Sequence, residues 1–592
     1  MSKLFIANEN RAVERNISAN RQFYQKYNYL YQDGISAVFY EKKIYSLGNT
    51  YRDGAGNFIG IVGSYLYKER FGIAAARSIL EDFDGDVARM KKCVQGMFSA
   101  FILKDGRAVV FNDYYGLYDI YYHINETGYS IATSLKDVLL EMPDVSIEQF
   151  PFILEIFHTG CFDRETSFKN VFKLVGRNYL VIADGKVTVQ WITDDAYRIE
   201  VPSYTDADSA IEYIVNRIGY YASCVSRNFD HIALGMTGGL DSRTVLAAYA
   251  ASTERADITL FYGKGNSLLT PTCKEDDEIV RQIAREYEFP LQYMNWQHPE
   301  ASEGVDWEYQ QNLAEQYGFW NRVYAGNRNF FEEVEGKVIG ESAFWDFGYF
   351  LEACRLREWA ENKGTDVILL DEFLKEYFID KKLATCYDNQ NSFYEYVKGV
   401  FRERLSDAKE VEMIALDKFE RFRWNTARYS DSRLYVLMND FTYSYPLFSV
   451  PCIHEMILGL PAEAIMGGKF QIALLRKLNA GMLRIPIFSH RRKYHLTVEG
   501  DKKMDVNFKN IMSRVLLKVP RLSKPVLGVY RRVRYRDYMS NYDKVQMQLS
   551  DLQDEDVNDW LHVRDYPNGN IRALYNLRQF LIAYHIVKEE RV

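Results

Sequence analysis

The sequence predicts a multi-domain α/β protein, a β-rich sandwich in its first third followed by a parallel sheet covered by helices. Three observations predict this. At 592 residues the chain is too long for one core of ordinary size. Up to about residue 195 it alternates short runs rich in Val, Ile, Tyr and Phe with glycine turn signals. From about 206 helical periodicity alternates with short apolar strands, the pattern of βα units. A composition of 47% hydrophobic and 26% charged residues, with 36 Gly and 13 Pro, excludes a disordered, collagenous or membrane-spanning chain.

In chain order, the first strands are read in GISAVFYEKKIYSL (34–47), MFSAFILKDGRAVVFND (97–113), YDIYYHINETGYSIAT (118–133) and YLVIADGKVTVQWI (179–192). The last three each carry a hairpin signal: Lys-Asp-Gly, Asn-Glu-Thr-Gly and Ala-Asp-Gly. The polar stretch TDDAYRIEVPSYTDAD (193–208) is the natural boundary, giving domains at 1–195 and 206–592. Beyond it come the helix ADSAIEYIVNRIGYYASCVS and the strands HIALGM (231–236), DITLFYG (257–263) and KVIGE (337–341). After about 350 the pattern is mostly helical, and no internal repeat appears.

A net charge of −8, from 73 basic and 81 acidic residues, argues against a whole-surface grip on nucleic acid, and none is expected as a partner. Seven cysteines with no CxxC pair read as reduced thiols. The opening MSKLFIANENRAVERN has no apolar signal region and no run of about 18 uncharged apolar residues occurs, so a cytoplasmic protein is expected. The nine histidines include no HExxH, which argues against a zinc site. Residues 511–540 carry eight basic side chains against Asp537, a local balance of +7. Interleaved with apolar residues, this run is a candidate peripheral contact with an anionic membrane, weighed against a solvated helix pair broken at Pro520 and Pro525.

The segment richest in chemistry is HIALGMTGGLDSRTVLAAYA (231–250), where an apolar strand runs through Thr237, Gly238, Gly239, Leu240, Asp241 and Ser242 straight into an apolar helix. Strand, glycine turn and helix make a phosphate-binding arrangement. The glycines let backbone approach the ligand, the hydroxyls of Thr237 and Ser242 donate to phosphate oxygens, and the helix start offers unpaired N–H groups. Asp241 would repel a bare phosphate and makes sense if it holds Mg²⁺ against a pyrophosphate. The plain alternative is a capped Gly-Gly turn.

TGGLDS resembles the SGGxDS pyrophosphate loop of N-type ATP pyrophosphatases, and its surroundings resemble the asparagine synthetase family. In the first domain GMFSAFILKDGRAVVFNDYYGLYDIYY (96–122), YSIATSLKDVLLE (129–141) and VGRNYLVIADGKV (175–187) are similar to that family's glutaminase-type domain. The pieces are a Gly-x-Phe strand, an Asp-x-x-Gly turn (Asp113 to Gly116), an Ala-Thr-x-x-Lys-like corner and a Gly-x-x-Tyr strand. The resemblance implies an Ntn-like αββα sandwich joined to a parallel-sheet ATP-pyrophosphatase domain, akin to the adenine nucleotide α-hydrolases, with a helical C-terminal extension. It covers most of residues 90–270, then patches to about 495.

The same resemblance implies site residues. Met236, Thr237, Gly238, Gly239, Leu240, Asp241, Ser242, Tyr262, Gly263 and Gly340 would contact ATP, with Mg²⁺ on Asp241 and Asp346. Glu341 would orient or deprotonate the amine, and Lys493 would stabilise the charge that develops as pyrophosphate leaves, with Lys477 as the alternative. The family loop Ser-Gly-Glu-Gly-Ser-Asp-Glu is matched by VIGESAFWDFGYF (338–350) at Gly340 and Glu341, but the family aspartate falls on Phe344. Glutamine-using members place a cysteine at the mature N-terminus; here Met1 is followed by Ser2 and the first cysteine is Cys93. The glutaminase is therefore expected to be silent.

The resemblance thus implies an ATP-dependent carbon–nitrogen ligase that adenylates a small-molecule or glycan carboxylate, releases pyrophosphate and passes the acyl group to ammonia or an amine. Two rivals stand beside it: an intramolecular cyclase of the β-lactam or macrolactam type, and a silent nucleotide-binding scaffold. A homodimer is a candidate assembly.

Overall fold

The computed structural model describes residues 2–158, 164–204, 206–252, 257–265, 274–296, 311, 314–315, 319, 343–346, 348, 367–375, 387–405, 413–415, 432–465, 468–489, 492–496, 502–504, 549, 552, 557, 561 and 571–591. Its first part holds two antiparallel six-stranded sheets. One runs β10 (Phe172–Lys173), β8 (Tyr121–Ile124), β9 (Tyr129–Ala132), β1 (Leu4–Ala7), β3 (Ile35–Tyr40), β2 (Tyr27–Gln32). The other runs β12 (Lys186–Trp191), β11 (Asn178–Ala183), β7 (Arg107–Asn112), β6 (Gln95–Lys104), β5 (Phe58–Leu66), β4 (Thr50–Arg52).

The turns follow from local chemistry. Asp33-Gly34, Asp105-Gly106 and Asp184-Gly185 all take positive φ at both residues, the requirement of two-residue hairpins whose twist matches the strands. In the β8–β9 loop the Asn125 side chain accepts from the N–H groups of Thr127 and Gly128. The Asp-x-x-Gly turn forms as read: buried Asp113 accepts from the N–H groups of Tyr115, Leu117 and Tyr118.

The inner strands of both sheets are buried on both faces and read as near-continuous apolar runs, while the edge strands β2, β4 and β12 are partly exposed. Their inner faces meet through Leu4, Ile6, Phe39, Val62, Phe101 and Val110. Gly60 is required there, since a Cβ on it would lie 2.3 Å from the Phe39 ring. The outer face of the second sheet is covered by the helix Gly72–Asp82 through Ala75, Ala76 and Ile79. The outer face of the first is covered by the helix Asn10–Asn20 and also by Ile571–Glu590, whose Phe580 ring stacks edge-on against Phe152 at 4.8 Å. The chain's last described helix, which the sequence division puts in 206–592, thus packs on the sandwich.

The second part contains a five-stranded sheet in the order β15 (Leu291–Trp296), β14 (Asp257–Gly265), β13 (His231–Gly235), β16 (Ala343–Asp346), β19 (Tyr443–Ser444), every neighbouring pair parallel. The direction of winding reverses between β13 and β16, so the crevice beyond their carboxyl ends is where a ligand is expected to lie. The strand expected at KVIGE (337–341) lies outside the described residues, and the strand beside β13 is described at Ala343–Asp346. A ribbon of β17 (Val367–Leu369) and β18 (Met413–Ala415), and a sheet of β20 (Ile487–Ser489), β21 (Arg492–Leu496) and β22 (Lys502–Met504), complete the strands.

The sequence boundary at 193–208 does not divide the core. One buried cluster runs from the inner faces of the sandwich into the parallel sheet, taking in Ile232, Leu234, Phe344 and Tyr443. Among the described residues no helix is long and apolar enough to cross a membrane.

Candidate functional site

The loop Thr237–Ser242 sits at the carboxyl end of β13, at the reversal point of the sheet. It is built by short local bonds: Thr237 N–H donates to Ser242 Oγ at 3.1 Å, the two hydroxyls share a hydrogen bond at 3.0 Å, and Gly239 N–H reaches Thr237 Oγ1 at 3.3 Å. Gly239 caps the helix Leu240–Ala251 without any side-chain cap bond, so that helix presents its first N–H groups uncapped from within. Among the described residues, a Cβ at Gly239 would lie 3.2 Å from Thr237 Oγ1, a tight contact, and 3.9 Å from the Phe488 carbonyl. Asp241 lies in the first helical turn, and Gln471 Nε2 donates to its Oδ1 at 2.9 Å.

The other side of the loop is packed. Phe488 N–H of β20 donates to the Gly238 carbonyl at 2.8 Å. Fully buried Arg243 ties the same region together: one terminal nitrogen donates to the carbonyls of Met482 and Ile485, the other to those of Gly238 and Pro486. Burial lowers the Arg243 pKa to about 10, which leaves it charged at neutral pH. Asp276, in the first turn of the helix Lys274–Glu286, accepts Gly238 N–H at 2.7 Å and the Tyr262 hydroxyl at 2.9 Å. Burial pushes its carboxyl up from the usual range, against the lowering by Gly238 N–H and Tyr262.

The carboxyl end of β16 meets the loop from the remaining side. Gly348, at φ +69°, leaves no room for a side chain: its Cβ would lie 2.5 Å from the Gly235 carbonyl and 2.8 Å from Ser242 Cβ. Asp346 is fully buried and accepts from Tyr435 (2.8 Å), Tyr249 (3.3 Å), Gly348 N–H (2.9 Å) and Leu447 N–H (3.2 Å). Desolvation raises its pKa to about 6 despite these donors. A cation ligated at Asp346 would have to displace one of them.

Met236 through Ser242 form one loop after β13, and Asp346 ends the neighbouring strand, opposite Leu234. Met236 is buried and its N–H donates to the Phe261 carbonyl at 2.8 Å. Tyr262 and Gly263 differ from expectation, because β14 continues to Gly265; both lie inside the ladder with β15, opposite Tyr293 and Met294, and not at a strand end. The Tyr262 hydroxyl is engaged with Asp276. Gly340 and Glu341 lie outside the described residues; in chain order they precede β16, whereas the connection leaving its loop-side end starts at Asp346.

Lys493 is in β21, opposite Phe488 of β20, so its backbone is one strand away from the residue bonded to Gly238. Lys477 instead lies 3.9 Å from Glu212 on the helix that carries Gln471, six residues further along. The run 511–540 lies outside the described residues. Sequence reading missed Arg243, Asp276, Gln471 and Tyr435. A charge two residues after Asp241 in an otherwise apolar helix was a usable signal for Arg243; the others are brought in by tertiary structure.

The pocket around Ser2 is closed. Ser2 Oγ accepts Gly63 N–H at 3.0 Å and lies 3.3 Å from the Tyr118 hydroxyl. The cavity beside it, lined by Lys42, Asn49, Gly63 and Tyr443 among others, measures about 10 Å³, room for one water at most. Lys42 is buried there and donates to Asn439 from the other half of the molecule.

No family model matches the chain, and no curated protein matches it. Among solved structures it is similar to an allosteric regulatory enzyme of purine biosynthesis at 7% identity and a TM-score of 0.23, over 49% of this chain and 80% of that one. It is also similar to the glutamine phosphoribosylpyrophosphate amidotransferase of B. subtilis, in complex with ADP and GMP, at 9% identity and a TM-score of 0.17, over 44% of this chain and 76% of that one. At these scores neither likeness carries an argument, and the functional reading rests on the loop and its surroundings.

Proposed function

We propose that the protein is an ATP-dependent amide-forming ligase that activates a carboxylate as its adenylate. The observation that supports this is the Thr237–Ser242 loop at the reversal point of a parallel sheet, with paired hydroxyls, a Gly-Gly pair and a glycine at the helix N-cap. These groups suit the pyrophosphate portion of ATP. Mg²⁺ would be held by Asp241, whose orientation Gln471 fixes, and would supply neutralisation of phosphate charge. Asp346 suits that task only with a rearrangement of its four donors; as placed, it braces β16 against the loop.

In the proposed reaction the substrate carboxylate attacks the α-phosphorus of ATP while the loop holds the departing pyrophosphate. Lys493, on the strand paired with β20, is proposed to offset charge as pyrophosphate leaves. Ammonia or an amine then attacks the acyl carbon and AMP departs. The filled cavity at Ser2 favours a nitrogen donor that is not glutamine handled by the sandwich. It supports external ammonia or amine and an intramolecular amine alike.

The test is release of AMP and pyrophosphate from Mg-ATP by purified protein offered pools of carboxylates, with and without ammonia. Carboxylate-dependent AMP and pyrophosphate, lost in Asp241→Ala, is the expected result. ADP and phosphate would overturn the mechanism. Nucleotide binding without turnover across the pools would favour the silent scaffold.

A further inference from the structure

An anion is packed against the loop that is read here as anion-binding. Asp276 Oδ1 sits 2.7 Å from Gly238 N, and Tyr262 holds the second carboxylate oxygen at 2.9 Å. Contact is close: a Cβ built on Gly238 would also lie 2.7 Å from Asp276 Oδ1. The carboxylate therefore occupies the backbone donor that the first glycine of the loop would offer to a phosphate oxygen. One N–H cannot serve both, and two anions on one donor repel. The peptide that carries this N–H is held from its other side, where Ser242 Oγ donates to the Thr237 carbonyl at 3.2 Å, so the N–H stays aimed at Asp276.

We propose that Asp276 is a resident anion that holds the loop in its phosphate-accepting shape and is exchanged for a phosphoryl oxygen when a polyphosphate enters, so that it sets the affinity of the site. This rests on reading 237–242 as a polyphosphate loop. The exchange makes the binding-competent form a fraction of the ligand-free protein, and apparent affinity falls by that fraction. Asp276 leaves with its Tyr262 bond or breaks it. Burial already weakens its hold, since desolvation disfavours the charged carboxyl.

The experiment is titration calorimetry of inorganic pyrophosphate into the full-length chain, first without divalent metal and then with Mg²⁺, for wild type, Asp276→Asn and Tyr262→Phe. Asp276→Asn keeps an acceptor for Gly238 N–H, and so the loop shape, but removes the charge. It is expected to tighten metal-free binding about tenfold, and Tyr262→Phe, which frees one carboxylate oxygen, about two- to threefold. Unchanged or weaker binding in Asp276→Asn overturns the proposal. Weakening confined to the Mg²⁺ series also overturns it, because that marks Asp276 as a metal ligand. If wild type and variants keep their melting temperatures yet bind no pyrophosphate with or without Mg²⁺, the polyphosphate reading itself fails and this proposal with it.

Discussion

Lys42 and Asn439 join the two halves of the molecule: the Lys42 ammonium donates to both the backbone oxygen and Oδ1 of Asn439, each at 3.0 Å, inside the closed pocket beside Ser2. Asn439 in turn donates to the carbonyls of Tyr435 and Ser444, on the helix Ser432–Phe441 and on β19. Desolvation drives the Lys42 pKa well down, so the bonds to Asn439 are what make its burial tolerable. Asn439→Ala is expected to lower unfolding stability by about 2–3 kcal/mol. Lys42→Met in the same background should cost less than it does alone, a coupling that a double-mutant cycle by denaturant titration measures.

Asp440, the next residue, predicts a pH response. It is fully buried, with the Lys43 ammonium at 2.7 Å and the Tyr24 hydroxyl at 2.7 Å. Desolvation works to raise its carboxyl, and Lys43 overcomes that to hold it well below the usual range. A depressed folded value means stability that is present above the unfolded value of about 3.9 and is lost as pH falls below it. Asp440→Asn should flatten the stability profile below about pH 4 and lower stability at pH 7 by about 3 kcal/mol, because Lys43 loses its counter-charge. Urea midpoints measured from pH 3 to 7 check both.

Gln471→Leu tests the support of Asp241. Its amide donates to Asp241 Oδ1 at 2.9 Å from a separate helix. Removal is expected to reduce pyrophosphate release about 10- to 100-fold, as loss of an outer-shell partner does, while stability falls by only about 1 kcal/mol. Steady-state kinetics beside thermal melts separate the two effects.

Gly348→Ala should act on the loop from the opposite side. The added methyl would lie 2.8 Å from Ser242 Cβ and 2.5 Å from the Gly235 carbonyl, in a left-handed backbone conformation that alanine adopts with strain. The expected result is a melting temperature lowered by a few degrees, from about 1–3 kcal/mol of strain, and weakened nucleotide binding. Calorimetry with ATP reads the second.

Arg243→Met removes four donor bonds and leaves the carbonyls of Gly238, Met482, Ile485 and Pro486 without that partner in a buried setting. A loss of about 3–4 kcal/mol is expected, and Arg243→Lys should recover only part of it, since an ammonium lacks the planar fork. Chemical denaturation checks the order of the three proteins.

The local features were legible in the sequence for physical reasons. Asp105-Gly106 and Asp184-Gly185 announce their hairpins because few residue pairs accept two left-handed conformations in succession. HIALGMTGGLDS announced strand, turn and helix because glycine spacing and apolar periodicity are local properties. The strand AFWD beside β13 was not read, because a four-residue apolar run carries no period of its own and only pairing with β13 reveals it. Asp276 and Gln471 could not be found, since nothing near them in the chain specifies that tertiary folding will bring them 2.7 and 2.9 Å from partners on the loop. Asp346 lay close by in sequence, yet the hydroxyls that enclose it come from residues 249 and 435.

The placement of Ile571–Glu590 on the sandwich has a consequence for synthesis. The strands of the first sheet leave the ribosome early, but the helix that shields part of their outer face follows only after several hundred further residues. At about 5–20 residues per second the nascent sandwich waits on the order of half a minute with Phe152 and Phe168 uncovered. During that interval the first-made domain is the one in need of a chaperone, and a chain cut after residue 195 would stay in that state.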